Sequence, residues 1–256
     1  MTSLKYALIA LIALSLSLSA IAMAKDLQIA IGAELPPYVL DHSSAGIEVE
    51  IVTQALKIRG HTVTFHVVPY LRLETRLKNR EIDATVQNLI LKTSKSANFT
   101  VYDSDTTINY HNFAITFLDK NIQLASIEDL KNKKVLAFQS ASRFLGSDYA
   151  QMAKSNANYS EHPQQSLQVK QLYADKVEVL ISDKRIFNYW KNKAESAGEL
   201  HYKNVMKKLK FHPIFEPSAR NVKFLDPDIR DDFNEGLKEI KATGVYHAII
   251  SKYENM

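Results

Sequence analysis

A strand, a proline pair, a helix and a second strand follow one another near the start of the chain and constrain its fold. Alternating apolar residues predict the first strand at 27–31, which cannot continue through Pro36-Pro37 because proline lacks a backbone N–H and has a fixed φ. Apolar residues at helical spacing predict a helix over 47–56 that ends before Gly60, and alternation predicts a strand over 63–67. This order predicts two parallel strands joined by a right-handed crossover.

Glu34 and Tyr38 lie in the turn that follows the first strand. Open α/β sheets bind small molecules beyond the carboxyl ends of their parallel strands, so both residues are candidate ligand contacts. Glu48 and Glu50, in the first turn of the following helix, are interpreted as charges that favour the helix dipole.

Apolar periodicity predicts the same element order, β-α-β-α-β, in residues 27–88 and again in residues 134–183. When the last strands of the two runs are aligned, 82–88 falls on the strand that ends at Asp183. Asn88 and Asp183 then take equivalent positions and are candidate ligand contacts. The match is short enough to arise by chance, but it favours two similar α/β lobes over one continuous sheet.

Two extended segments flank the second run and predict the two strands of a hinge. The chain is expected to cross to a second lobe near residue 112 and to return near residue 214. Helical periodicity after residue 228 predicts two final helices that pack on the first lobe. The predicted first lobe comprises 25–112 and 215–256, the second lobe comprises 113–214, and the hinge lies near 110–114 and 212–217.

The first 24 residues have the pattern of a secretory signal peptide. Lys5 precedes a nearly unbroken apolar run over 7–22, and Ala22-Met23-Ala24 provides a small-x-small cleavage site. The run is shorter than the roughly 20 residues that a membrane span needs, although an uncleaved anchor is the alternative. The pattern predicts an exported protein, with the bacterial periplasm as its expected location.

The composition excludes several classes of function. The chain has no cysteine, which excludes disulfides, thiolate metal sites and cysteine catalysis. Its eight histidines are spread singly without metal-ligand spacing, and no nucleophile or phosphate-loop motif occurs, so we expect no metal, cofactor or catalytic residue. The net charge of +4 comes without a stripe of basic and aromatic residues, which argues against nucleic-acid binding.

Several short motifs resemble, in their order along the chain, those of the family 3 solute-binding proteins of bacterial transport systems. Members of that family bind polar amino acids and related small ions. No single motif is specific, but their joint order covers nearly all of the predicted mature chain. The matching stretches are Pro36-Pro37-Tyr38, Gly46-Ile47-Glu48-Val49-Glu50-Ile51, Arg80-Glu81-Ile82-Asp83-Ala84, residues 126–134, Gln139-Ser140-Ala141-Ser142 and residues 179–183.

The resemblance implies a two-lobed α/β fold like that of periplasmic binding proteins, in which each lobe is a mostly parallel sheet flanked by helices and a two-stranded hinge joins the lobes. It implies a monomeric binding protein, not an enzyme, that closes on a small polar or charged solute and passes it to an inner-membrane transporter. A sensory protein that partners a membrane receptor is an alternative with the same hinge. A dehydratase-like or deaminase-like cleft enzyme is another, with Glu34 and Asp183 as its acid/base pair.

The resemblance also implies ligand contacts at particular residues. Tyr38 and Tyr70 would offer aromatic faces in the cleft, and Asp183 would face Tyr38 across the open cleft and accept hydrogen bonds from a ligand amino group. Ser140 and Ser142 would present hydroxyls and backbone N–H groups to an anionic ligand group at a helix start. The alternatives are that the tyrosines are core residues and that the serines and Asp183 are helix N-caps.

The chain departs from the family in its cationic contacts. Amino-acid-binding members have a Thr-x-x-Arg motif whose arginine forks onto the ligand carboxylate. The corresponding stretch, 90–100, has no arginine, and Thr93 stands at that place. Either Arg72, Lys92 or Arg143 substitutes for the missing guanidinium, or the ligand lacks that carboxylate.

Overall fold

The computed structural model describes residues 24–40, 44–86 and 100–254. Residues 1–23 of the predicted signal peptide and the candidate contact Asn88 lie outside these ranges. None of the helices within them combines the length and the hydropathy that crossing a membrane requires.

Strands and helices alternate along most of the described chain, as the apolar periodicity predicted. The strands are β1 (Asp26–Ile31), β2 (Thr62–Val67), β3 (Ala84–Thr85), β4 (Tyr102–Asp103), β5 (Ile108–Tyr110), β6 (Asn112–Phe117), β7 (Val135–Phe138), β8 (Tyr159–His162), β9 (Val179–Asp183), β10 (Leu209–His212), β11 (Ser218–Arg220) and β12 (Lys223–Phe224). The helices are α1 (Ile47–Lys57), α2 (Tyr70–Lys78), α3 (Ala141–Phe144), α4 (Ser147–Ser155), α5 (Gln165–Tyr173), α6 (Lys184–Ser196), α7 (Pro227–Ala242) and α8 (Val245–Glu254).

Two five-stranded sheets with the same internal arrangement form the framework. The first has the order β2-β1-β3-β12-β4, and the second has the order β8-β7-β9-β6-β10. In each sheet the first three strands are parallel, the fourth runs antiparallel to them, and the fifth is antiparallel to the fourth. The predicted choice of two similar lobes over one continuous sheet is therefore confirmed, and so is the two-lobed α/β fold class.

A separate two-stranded sheet connects the two halves. β5 pairs antiparallel with β11, with Ser218 opposite Tyr110 and Arg220 opposite Ile108. This pair belongs to neither large sheet and has the form of the predicted hinge. β5 ends at the first residue of the predicted segment 110–114, and β11 begins one residue after the predicted segment 212–217, because β6 and β10 already belong to the second sheet. The exact division of the chain between the lobes stays a prediction.

Residues 141–155 form two helices where the spacing of Phe144, Leu145 and Tyr149 predicted one. Gly146 separates α3 from α4 with a φ of +94°, which interrupts a right-handed helix. As a result Tyr149 is buried while Phe144 is 56% exposed. Ser126 followed three residues later by Asp129 is a helix-start pattern in the sequence, and a short 3₁₀ helix (Ile127–Leu130) does begin there. Asp129 accepts a hydrogen bond from the Ser126 backbone N–H at 2.9 Å in a capping box.

α7 packs closely on α1, the helix that crosses from β1 to β2. Its four periodic apolar residues are buried in the same core as α1, as their spacing predicted: Ile229, Phe233, Leu237 and Ile240. Gly236 permits the close approach, because a Cβ at this position would lie 1.9 Å from the Ala55 carbonyl oxygen.

Candidate functional site

A cavity of about 890 Å³ lies between the two large sheets. Its walls include the last residue of β1 (Ile31), the residue after β3 (Val86), and the last residues of β7 (Phe138) and β9 (Asp183). The carboxyl ends of parallel strands from both sheets therefore meet at one place. This is the position at which open α/β sheets bind small molecules.

The wall of this cavity is mostly apolar, with a small number of charged groups. Its apolar part includes Leu35, Phe138, Phe144, Leu145, Ile186 and Phe215. The charged side chains among the described lining residues are four carboxylates, Glu34, Glu48, Asp183 and Glu216, and one guanidinium, Arg220.

The Arg220 guanidinium is held by a buried ion pair. Its Nε lies 3.1 Å from Glu48 Oε1, and the side chains are 16% and 3% exposed. The guanidinium carbon lies 4.8 Å from the centre of the Tyr110 ring, and Nη2 donates to the Val86 carbonyl oxygen at 3.4 Å. Burial disfavours the charged form, but the Glu48 carboxylate and the hydroxyls of Tyr110 and Tyr38 together outweigh it and raise the pKa of Arg220 above its ordinary value.

Sequence reasoning missed this pair. Glu48 does lie in the first turn of α1, as interpreted, but it is also buried against Arg220, which no motif singled out. Glu50 does lie at the surface side of the same turn, where Lys252 Nζ is 2.5 Å from its carboxylate. In the sequence, Arg220 could have been noticed as an isolated arginine in the segment where the chain returns through the hinge.

The Asp183 carboxylate is saturated with hydrogen bonds. Oδ1 accepts from the Tyr38 hydroxyl at 3.0 Å and from the backbone N–H groups of Arg185 and Ile186 at 2.9 and 3.1 Å. Oδ2 accepts from the His111 backbone N–H at 2.7 Å. Burial raises the pKa of Asp183 above its ordinary value of 3.8, although these hydrogen bonds oppose the shift. The N-cap interpretation of Asp183 is confirmed.

Tyr38 is a core residue. Its side chain is fully buried, its ring stacks on Tyr110 with centroids 4.0 Å apart, and it is not among the residues that line the cavity. Burial raises the pKa of its hydroxyl well above the ordinary value. The expectation that Tyr38 and Asp183 face each other across an open cleft is wrong, because the two side chains are in direct contact.

The backbone N–H groups at the start of α3 already hold a carboxylate of the chain. Ser140 N and Ser142 N donate to the two oxygens of Glu161 at 2.6 and 2.9 Å, and the Tyr159 hydroxyl donates to it at 2.7 Å. Burial disfavours the charged form, but these hydrogen bonds outweigh it and lower the pKa of Glu161 below its ordinary value. Glu161 therefore lies where the resemblance placed an anionic group of the ligand.

The other predicted contacts are dispersed. Glu34 is exposed and lines the cavity, whereas Arg72 is exposed on α2 and is not among the lining residues. The backbone of Tyr70 begins α2, but its side chain lies outside the described part, as do Asn88, Lys92 and Thr93. Arg143 is exposed and does not line the cavity. Among the described residues, no cluster of three or more histidine, aspartate or glutamate side chains has the geometry to hold a metal ion.

Two sheets of equal topology, a two-stranded connection and a cavity between the strand ends define a two-lobed binding protein. The chain belongs to the bacterial extracellular solute-binding proteins, family 3, since the sequence profile of that family matches residues 27–256. No curated protein sequence gives a significant match.

Solved structures with the same fold come from several bacteria. The YckB protein of Bacillus subtilis is 19% identical, with a TM-score of 0.65 and coverage of 90% of each chain. An arginine third-transport-system periplasmic binding protein of Legionella pneumophila is 21% identical, with a TM-score of 0.59 and coverage of 90% of this chain and 100% of that one. The L-cystine solute receptor of Neisseria gonorrhoeae, in its unliganded open conformation, is 16% identical, with a TM-score of 0.63 and coverage of 91% and 94%. At these identities the similarity establishes the fold.

Proposed function

We propose that this chain is a periplasmic substrate-binding protein that captures a small charged or polar solute between its lobes and delivers it to an inner-membrane transporter. The cavity carries this proposal. It is lined from the strand ends of both sheets, and its volume of about 890 Å³ is within the range of small-molecule sites, roughly 300–1,000 Å³.

The connection between the halves supports the same function. β5 and β11 are the strands that join the two sheets outside their own hydrogen-bonded networks. Rotation about such a pair opens and closes the space between lobes, which is how hinged binding proteins take up a ligand. The predicted signal peptide over 1–24 supports export to the periplasm.

The enzyme alternative has less support. General acid/base catalysis needs a carboxyl group that reaches the substrate with a proton to exchange. Of the nominated pair, Glu34 lines the cavity, but Asp183 already accepts four hydrogen bonds from the protein. This arrangement favours a structural role for Asp183. If the protein were an enzyme, Glu34→Gln would abolish turnover while leaving ligand affinity nearly intact.

A thermal-shift screen of residues 25–256 against amino acids, amines, organic acids and sugars tests the proposal. A solute present at 100 times its Kd stabilises the folded state by roughly 2.7 kcal/mol, so a true ligand raises the Tm. Leu145→Trp, which fills the cavity, is expected to abolish the shift, whereas Leu167→Trp, on an exposed position of α5, leaves it intact. A screen in which no solute raises the Tm, or in which Leu145→Trp binds normally, contradicts the proposal.

A further inference from the structure

We infer that the cavity is built for an organic cation that has an apolar body and no carboxylate group. This inference deepens the proposed function and rests on it. Three observations carry the inference: the charge of the described cavity wall, the occupation of the backbone N–H groups of Ser140 and Ser142 by Glu161, and the apolar surface of the wall.

The charge of the described wall is negative. Four carboxylates line the cavity against one guanidinium, and that guanidinium is paired with Glu48. Asp183 is buried, whereas Glu34 and Glu216 are exposed at the wall, so the carboxylates of Glu34 and Glu216 can come into contact with a solute. In a partly enclosed site, two carboxylates attract a cation and repel an anion more strongly than they do in bulk water.

The one cationic side chain of the described wall is already paired, so it is not free to hold a ligand carboxylate. The Arg220 guanidinium contacts Glu48, the Tyr110 ring and the Val86 carbonyl oxygen. The backbone N–H groups of Ser140 and Ser142 are engaged by Glu161. To reach these N–H groups, a ligand carboxylate would have to displace a like-charged protein group that holds three charge-assisted hydrogen bonds.

The remaining surface suits an apolar body beside a positive charge. Phe138, Phe144 and Phe215 line the cavity together with aliphatic residues of both halves. The faces of aromatic rings attract cations at distances up to about 6 Å, and the rings also bury hydrocarbon. The combination selects amines with a hydrocarbon or aromatic part over small hydrophilic ions.

Matched pairs of probes that differ only in the carboxylate test this inference. We would measure the Kd by isothermal titration calorimetry for phenethylamine against phenylalanine, tyramine against tyrosine, cadaverine against lysine and agmatine against arginine. At least one amine is expected to bind ten-fold or more tightly than its amino acid. The inference is overturned if the amino acid of every binding pair is the tighter ligand, in which case the proposed function still stands. If no probe and no member of the broader solute screen binds, the proposed function fails with it.

Variants that replace a carboxylate by a neutral amide test whether Glu34 and Glu216 bind the cation. Glu34→Gln and Glu216→Gln are each expected to raise the Kd of the tightest amine five-fold or more. Glu235→Gln, on the exposed surface of α7, makes the same charge change away from the cavity and should leave the Kd unchanged. Equal effects of all three variants would overturn the assignment. The inference would also be overturned if an amino acid bound tightly to the wild type and lost that affinity in Lys92→Gln. In that case Lys92 would supply the cation for the ligand carboxylate.

Discussion

The Tyr38 hydroxyl donates a buried hydrogen bond of 3.0 Å to Asp183 Oδ1, across 145 positions of sequence. Tyr38 follows the first strand of one sheet, and Asp183 ends a strand of the other and caps α6. One side-chain contact therefore joins the two halves at the carboxyl ends of their parallel strands. Because both residues are buried, the contact acts in the core and contributes to the stability of the pair of lobes.

Tyr38→Phe should measure the contribution of this contact. Removing the hydroxyl leaves the ring stacked on Tyr110 but takes one donor from Asp183, so we expect a loss of about 1–2 kcal/mol in the free energy of unfolding. Urea denaturation followed by tryptophan fluorescence gives the value. Tyr202→Phe removes a hydroxyl from a side chain that is 75% exposed and should change stability little. Equal stability of Tyr38→Phe and the wild type would contradict the prediction.

Glu161→Gln should reduce the sensitivity of the protein to acid. The pKa of Glu161 is lowered in the folded state, so the unfolded chain binds the proton more readily and the stabilisation is present above the ordinary value of 4.5. It is lost as the pH falls from about 4.5 through the folded pKa. In urea denaturation repeated at a series of pH values, we expect the variant to be less stable by about 1–2 kcal/mol at pH 7 and to approach the wild type at low pH.

Asp183→Asn should show the opposite pH dependence of stability when its urea denaturation is measured at the same series of pH values. Burial raises the pKa of Asp183, so the folded state retains its proton to higher pH, and the contribution of Asp183 to stability falls as the pH rises from 3.8 through the folded pKa. The difference in unfolding free energy between the wild type and this variant should therefore decrease with rising pH. Parallel pH profiles for the Glu161 and Asp183 variants would refute one of the two assignments, namely the one whose predicted sign differs from the observed slope.

Breaking the Glu48–Arg220 pair should destabilise the fold strongly. Arg220→Met leaves the Glu48 carboxylate buried without its partner, and we expect a loss of about 3–5 kcal/mol. Combining it with Glu48→Gln removes the stranded charge and should restore part of that loss. A double-mutant cycle in urea measures the coupling, and additive effects of the two substitutions would show that the pair is not coupled.

Gly236→Ala should destabilise the protein although alanine is the better helix former. Propensity alone would favour alanine by about 1 kcal/mol, but the new Cβ would overlap the Ala55 carbonyl oxygen and push α7 off α1. We expect a net loss of about 1–3 kcal/mol by thermal or urea denaturation. Ala242→Gly, at the last position of α7, isolates the propensity contribution. A stabilised Gly236→Ala protein would show that the helices separate freely.

Much of the architecture was predictable because it follows from the local spacing of apolar residues along the chain. Alternating and helical apolar spacings located most strands and the final helices, and the repeated element order indicated two lobes. Turn chemistry is local as well, which is why the capping box at Ser126 was recognised. The single helix predicted around Phe144 was wrong, because the positive φ of Gly146 is decided by how the segment joins the rest of the fold.

By itself the sequence determined the element order, the family and the absence of the usual arginine, since these depend on residues close together in the chain. The tertiary structure alone decided which charges meet. Glu48 and Arg220 are 172 positions apart, and the Glu161 carboxylate reaches the N–H groups of Ser140 and Ser142 from a neighbouring strand. No local pattern encodes such pairs, because the free energy of burying a charge depends on what the whole fold brings beside it.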